Sequence, residues 1–510
     1  MSNLRRFPAL LLILVLLPSG AVATPQTYEA DLEMVSRIRD EGFERSELPD
    51  TLSYMTDVLG ARLTVSPGMR RAQRWAIGEM ERIGLTNIEI EPFMDYGIAW
   101  SNDYVSLHLL EPDYQPMVGY PLSHTPGTDG ALQLDAVVVD SRSLAELERW
   151  RGRLAGKAVL WTPPAVIDLD RINRGSPSRT NEELRELAMP APPATPRTRP
   201  EPGPDDLDDG ERMAFFKSEG VPVLLESRSG WPGAVRGFGR PGTKVDRWAR
   251  QESLDSLPIV AITPEHYNRM HRIVSRGIDV RVEVEVRNTI GNEVQQAANV
   301  LGEIPGTDLA DEVVMLGAHF DTWHASPNAS DNTSGVAVML EAARILTALG
   351  AQPRRTIRVA LWSGEEQGIF GSRAYVNRHF GDPASGTTPA YEKFSAYFNQ
   401  DYGPGKYRGI YLQGNEAARP MFEAWIAPFR DLGVTTVSIR GVGSTDHVPF
   451  DGAGLPGFQF LQDRAGGTGG HTNMDFYDTL PIDDLKHNAV VMAAFVYHAA
   501  MADQRVPRKD

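Results

Sequence analysis

From residue 298 onward the chain alternates short apolar runs with stretches of helical period. The runs at 312–318, 356–362 and 394–399 read as strands, and 334–349 and 368–379 as helices. Strand–helix–strand alternation folds into a mostly parallel sheet flanked by helices, because each parallel neighbour needs a crossover. Such sheets bind ligands outside the carboxyl ends of their strands. His319 follows the first run, Glu365 and Glu366 the second, and Asp401 the third. The pattern that constrains the fold therefore also gathers imidazole and carboxylate groups at one edge of it.

Two further residues complete the constellation: Asp331, just before the helix at 334–349, and His471, in a glycine-rich loop. If Asp331 bridges, one metal receives His319, Asp331 and Asp401, and the other Glu366, Asp331 and His471. Three protein ligands leave positions open for water and substrate, as a catalytic centre requires. Two metals about 3.5–4 Å apart can share a hydroxide and clamp a tetrahedral intermediate. Nitrogen and oxygen ligands suit two zinc ions, with cobalt or manganese as alternatives. The chain has no cysteine, so thiolate ligation and disulfides are excluded.

Glu365, beside a ligand, is assigned as the general base that takes a proton from metal-bound water and passes it to the leaving amine. Asp321, two residues after His319, shares a face with it along an extended segment and is expected to orient the imidazole. Taken singly, each residue also has a structural reading; Asp331, for example, suits the N-cap of the following helix. The argument rests on the conjunction. Asp446 and His447 divide between lining the substrate pocket or supporting the oxyanion and a buried structural role, Tyr477 between stabilising the intermediate and a core place, and Trp323 and His324 between walling the site and shaping a loop, whereas Asp475 and Asp478 read as turn or supporting residues. The stretch 402–406 lacks the full phosphate-loop pattern, and neither H-E-x-x-H nor G-x-S-x-G occurs.

At 510 residues the chain is too long for one ordinary core. Arg5 and Arg6, the apolar stretch 8–17 and Ala21-Val22-Ala23 form a cleavable signal peptide over 1–23, which places the product in a secreted or periplasmic compartment. No other stretch is long enough to span a membrane. A net charge of -16 and the lack of a basic stripe argue against nucleic acid as a partner. Before the strand–helix alternation lie helices at 48–59 and 68–84 and a strand at 87–93. The block 113–288 is richer in short strands (136–139, 158–161, 221–225, 259–262, 280–286) and reads as an inserted β-rich domain. It divides the catalytic domain into 24–112 and 289–510. Within it, 189–209 is proline- and acid-rich and reads as a loop or flap.

The segments G-A-H-F-D (317–321), S-D-N-T-S-G (330–335), G-E-E-Q-G (364–368), F-N-Q-D-Y-G (398–403) and H-T-N-M-D (471–475) resemble the co-catalytic zinc exopeptidases, nearest the carboxypeptidase Q-like group. A-R-L-T-V-S-P-G (61–68), R-G-I-Y-L-Q-G-N (408–415) and T-D-H-V-P-F (445–450) extend the likeness over most of the chain. The resemblance implies a protease-associated domain for the inserted block, a cis peptide at Asp331–Asn332, and the same ligand and base roles. The expected function is a secreted or periplasmic di-zinc exopeptidase of dipeptides or short peptides, of dipeptidase, carboxypeptidase or aminopeptidase type; a homodimer is compatible with it. The competing readings are a single-zinc glutaminyl cyclase-type acyltransferase and an inactive binding homologue.

Overall fold

The computed structural model describes residues 28–167, 178–192, 203–241, 248–464 and 470–509. The signal peptide read at 1–23 lies outside the described residues, as does 193–202 of the proline-rich stretch. The flanks of that stretch, 189–192 and 203–208, are non-helical, as its composition requires.

The fold is mixed α/β. Its strands are β1 (Thr86–Glu111), β2 (Gly119–Pro121), β3 (Leu132–Val138), β4 (Lys157–Leu160), β5 (Val223–Glu226), β6 (Ile259–Ile262), β7 (Arg281–Ile304), β8 (Leu309–His319), β9 (Arg355–Trp362), β10 (Phe394–Asn399), β11 (Tyr407–Tyr411), β12 (Thr436–Ser438) and β13 (Gly457–Gln462). They pair in the order β12-β11-β13-β10-β8-β9-β7-β3-β4-β5-β6-β2, with β1 alongside β7. The strands β9, β8, β10 and β13 run parallel to one another. So do β3, β4, β5 and β6.

One long antiparallel ribbon links the two parallel sets. The last residues of β7, from Val300, pair with β9, while its first residues pair with β3. Its partner β1 follows it along most of its length, with repeated register shifts. The sequence pattern suggests a strand only at 87–93 because Gly97 and the polar run Ser101-Asn102-Asp103 interrupt the apolar alternation. Bulges absorb those residues without ending the strand.

Helices cover the catalytic part of the sheet. On one face lie α1 (Leu32–Glu44), α3 (Ser334–Ala348) and α4 (Ile482–Met501); α2 (Asp209–Ser218) belongs to the inserted block. In α3 every side chain from Ser334 to Leu346 is buried. Its one charged pair is accommodated by ions of opposite sign, with Arg344 2.7 Å from Glu41 and 2.8 Å from Glu341. The opposite face is an aromatic cluster that includes Trp362, Tyr375, Phe394, Tyr397 and Phe450. Two smaller clusters fill the two sides of the inserted sheet. The helix expected over 368–379 begins at Phe370, after Ile369 takes positive φ. The helix Arg419–Ile426 tightens to 3-10 geometry over Ala427–Leu432, because Pro428 has no N–H to continue the α pattern.

Candidate metal centre

Each candidate residue stands where a strand or turn stops. His319 is the last residue of β8, Asp401 follows β10 by two residues, and Glu365 and Glu366 begin a short helix after β9. Gly364, at φ +75°, turns the chain there, a conformation glycine adopts without penalty. Asp331 sits in the tight turn Ala329–Thr333, ahead of α3. The Asp331–Asn332 peptide is cis, as the resemblance implied.

The two oxygens of Asp331 face different imidazoles. Oδ1 is 3.2 Å from His319 Nε2, and Oδ2 is 2.9 Å from His471 Nε2. Asp401 lies on the His319 side, with Oδ2 at 3.8 Å, and Glu366 on the His471 side, with Oε2 at 3.0 Å. Glu365 joins the first group: its carboxylate, His319 and Asp401 offer atoms within 4.8 Å of one another. All six residues therefore meet in one cluster.

His319 Nδ1 lies 2.9 Å from the Asp321 carbonyl oxygen, which can only accept. Nδ1 therefore carries a proton, and Nε2 faces the carboxylates. Burial opposes charge on this imidazole, but the carboxylates outweigh it and raise the group well above its ordinary value. The Asp321 carboxylate does something else than the sequence suggested. It stands 4.0 Å from that imidazole and instead accepts the backbone N–H groups of Glu365 (3.1 Å) and Glu366 (3.3 Å). Asp321 thus holds the imidazole through its backbone and the glutamate turn through its side chain.

Other supports were less visible in the sequence. Asp475 accepts the N–H groups of Ser330 (2.8 Å) and Asp331 (3.2 Å), fixing the turn from outside. Asn332 donates to the Gln400 carbonyl and accepts from Gly335 N–H, where any Cβ would meet its Oδ1 at 2.3 Å. In the segment 61–68, buried Arg62 donates to the Phe320 carbonyl and to Thr333 Oγ1. Thr64 Oγ1 lies 3.1 Å from Asp321 and 2.7 Å from Gln367. No metal-ligand pattern marks these residues; only their place in the 61–68 resemblance hinted at them.

The divided side chains also resolve. His447 is fully buried, bonded to Gln413 and to the Val442 carbonyl. Asp446 is equally buried and accepts from Ser372 Oγ at 2.5 Å. The hydroxyl of Tyr477 faces Asp57, Asp50 and Asp478. It is Tyr402, half-exposed beside Asp401, whose hydroxyl feels Asp401 and Glu365. His324 is half-buried, donating to the Pro121 carbonyl. Trp323 and Phe238 wall His471, with ring centres at 6.5 and 5.2 Å. Phe238 comes from the inserted block, whose Gly237 N–H bonds to the His471 carbonyl at 3.1 Å.

The electrostatics are those of crowded acids and bases out of water. Burial pushes Glu365 well above the usual carboxylate range, reinforced by Asp401, Asp446 and Glu366 and opposed by His319. Burial and Asp331 raise Glu366 to about 7. Burial opposes charge on His471, but Glu366 and Asp331 outweigh it and raise the imidazole to about 11. Burial would also raise Asp331, yet the two imidazoles hold it far below its ordinary value. The donor set fits divalent cations: two imidazole nitrogens, three carboxylates and a buried Glu366 Oε1 with no hydrogen-bond partner.

Residues 299–496 match the sequence profile of peptidase family M28. Over this segment the chain is similar to the M28 peptidases. The segment contains every residue of the cluster, and the chain is a metal-dependent peptidase. Human carboxypeptidase Q is 24% identical, over 94% of this chain and 89% of its own length. Aminopeptidase YwaD of Bacillus subtilis is 28% identical over 41% of the chain. Among solved structures, an M28 peptidase precursor from Shewanella amazonensis superposes with a TM-score of 0.67 at 22% identity, covering 94% of this chain and 98% of its own. A zinc aminopeptidase from Bacillus subtilis gives 0.55 at 18%, covering 90% and 95%. The M28 fold thus extends over the inserted block as well as the matched segment.

Proposed function

We propose that this metal-dependent peptidase is a di-zinc exopeptidase of dipeptides and short peptides. The observation that carries the reading is Asp331, whose two oxygens each face a different imidazole, with one further carboxylate on each outer side. His319, Asp331 and Asp401 would hold one ion, and Asp331, Glu366 and His471 the other. When bound, the ions supply Lewis-acid polarisation of the scissile carbonyl and acidify water. Glu365 takes the proton of the attacking water and delivers it to the leaving amine nitrogen; a carboxylate raised by burial suits both transfers. Asp321 holds Glu365 and Glu366 in register by accepting both backbone N–H groups. Tyr402, next to Asp401, donates its hydroxyl to the Gly443 carbonyl.

The relatives act at peptide ends, as their names carboxypeptidase and aminopeptidase state. Phe238 and Trp323 narrow the His471 side of the cleft, which favours short substrates. We further read the segment 1–23 as an export signal and 113–288 as a protease-associated domain. Among the described residues no helix is long and apolar enough to cross a membrane.

The test is Glu365→Ala. It should retain both zinc ions and lose at least about 10²–10⁴-fold in kcat, the usual worth of a general base. Turnover at the wild-type rate would remove Glu365 from the mechanism. Assaying free, N-acetylated and C-amidated dipeptides tells which free end is read. Cyclisation of N-terminal glutamine without hydrolysis would instead favour the acyltransferase.

A further inference from the structure

The inserted block contains a second built site, outside the metal cluster. At the carboxyl ends of the parallel strands β3, β4 and β5 lies a cavity of about 300 Å³, lined by Asp140, Arg142, Arg212, Ser227 and Arg228. Pro163, Pro164, Ala165 and Val166 form an apolar side to it. Ligands collect at such strand ends.

Three guanidinium groups converge here on too few carboxylates. Arg142, Arg212 and Arg228 all reach Asp209, at 2.7, 3.3 and 3.4 Å. The other acid in range is Glu226, 3.0 Å from Arg228 and buried behind the cavity. Within salt-bridge distance two carboxylates answer three guanidiniums, while Asp140, on the same lining, is paired with His271 instead. Arg212 and Arg228 also lie against the Trp161 ring, at 4.7 and 5.8 Å, which aligns their planes without consuming donors.

Two buried polar atoms on this lining have no protein partner: Arg212 Nε, in a side chain 1% exposed, and Ser227 Oγ, in a residue 4% exposed. A buried donor without a partner forfeits the hydrogen bond it would make in water, so both atoms gain from an acceptor in the cavity. Asp140 stands on the same lining, paired with His271 at 3.2 Å. It makes the site unfavourable for a dianion such as phosphate. The planar guanidinium donors, the two unpartnered buried atoms and the apolar side together suit a monoanion with a hydrocarbon tail.

We propose that this cavity binds a small aliphatic monocarboxylate, its carboxylate on Arg142, Arg228 and Ser227 and its hydrocarbon against Pro163–Val166. Arg–carboxylate geometry is bidentate and matches this donor array.

The probe is sodium isovalerate, titrated calorimetrically into the zinc-loaded full chain, with inorganic phosphate in parallel. A carboxylate also meets the metal cluster, so the double substitution Arg142→Gln, Arg228→Gln distinguishes the two sites. Both arginines are partly exposed, and neither belongs to the catalytic machinery. The expected result is a saturable isovalerate site weakened at least tenfold in the double variant, with dipeptide hydrolysis unchanged. Ser227→Ala should weaken it to a smaller extent. If the double variant does not fold, Arg142→Gln alone repeats the measurement. Isovalerate binding that is equal in wild type and variant overturns the proposal, as does phosphate binding more tightly than isovalerate at the arginine-dependent site.

Discussion

Asp321 illustrates how one side chain can support two parts of a centre. Its carbonyl fixes the His319 tautomer, and its carboxylate holds the Glu365–Glu366 turn. An amide in place of the carboxylate keeps the volume but cannot accept both N–H groups. Asp321→Asn should therefore lower activity or zinc affinity by about 10–100-fold, the usual cost of losing a support behind a metal ligand. A zinc titration combined with kcat/KM measures this, and wild-type values for both would refute the role. The spacing H-x-D points to this residue, but not to the atoms it uses, because those depend on how the chain turns after β8. His319, Glu366 and Asp401 were legible because they end or follow strands, and Asp331 and His471, in a turn and a loop, because of the motif segments that carry them. Arg62, Thr64 and Phe238 were not, since their partners lie more than two hundred positions away.

At the scale of elements, α3 owes its position to an apolar surface nearly all round and one ionic contact to α1. Arg344 is buried between Glu41 and Glu341. Arg344→Ala would leave Glu341 buried without a cation and Glu41 with Arg45 alone, which costs about 3–5 kcal/mol. Chemical denaturation should show that loss, while zinc content at low temperature stays normal; a change under about 1 kcal/mol would mean the carboxylates find other partners. The helix at 334–349 was readable from its spacing in the sequence. The length of β1 and β7 was not. Their bulges and polar residues break the period-two pattern, and only mutual pairing keeps both strands extended.

Across the whole molecule, catalytic and inserted parts share one ribbon and one cleft wall. Two histidines, one near each part, make that assembly acid-sensitive. Burial lowers His324 and His487 from 6.5 to about 4. Between those values the unfolded chain binds more protons than the folded one, so each contribution to stability rises with pH and falls as acid is added. Melting temperatures measured from pH 7 to 4.5 should fall for the wild type. His487→Gln should gain relative to wild type across that window, and a constant difference between the two would contradict the assignment. Alternation of strands and helices made the catalytic sheet legible, and the single sheet that joins it to the inserted block was hidden in long-range pairing.

Everything above converges on the bridge formed by Asp331. The direct measurement is zinc per chain, by elemental analysis of wild type, Asp401→Ala and Asp331→Ala after equilibration with limiting free zinc. A shared bridge predicts two ions in the wild type, a reduced content on loss of Asp401, and almost none on loss of Asp331. One ion in the wild type, or two retained without Asp331, would contradict the account.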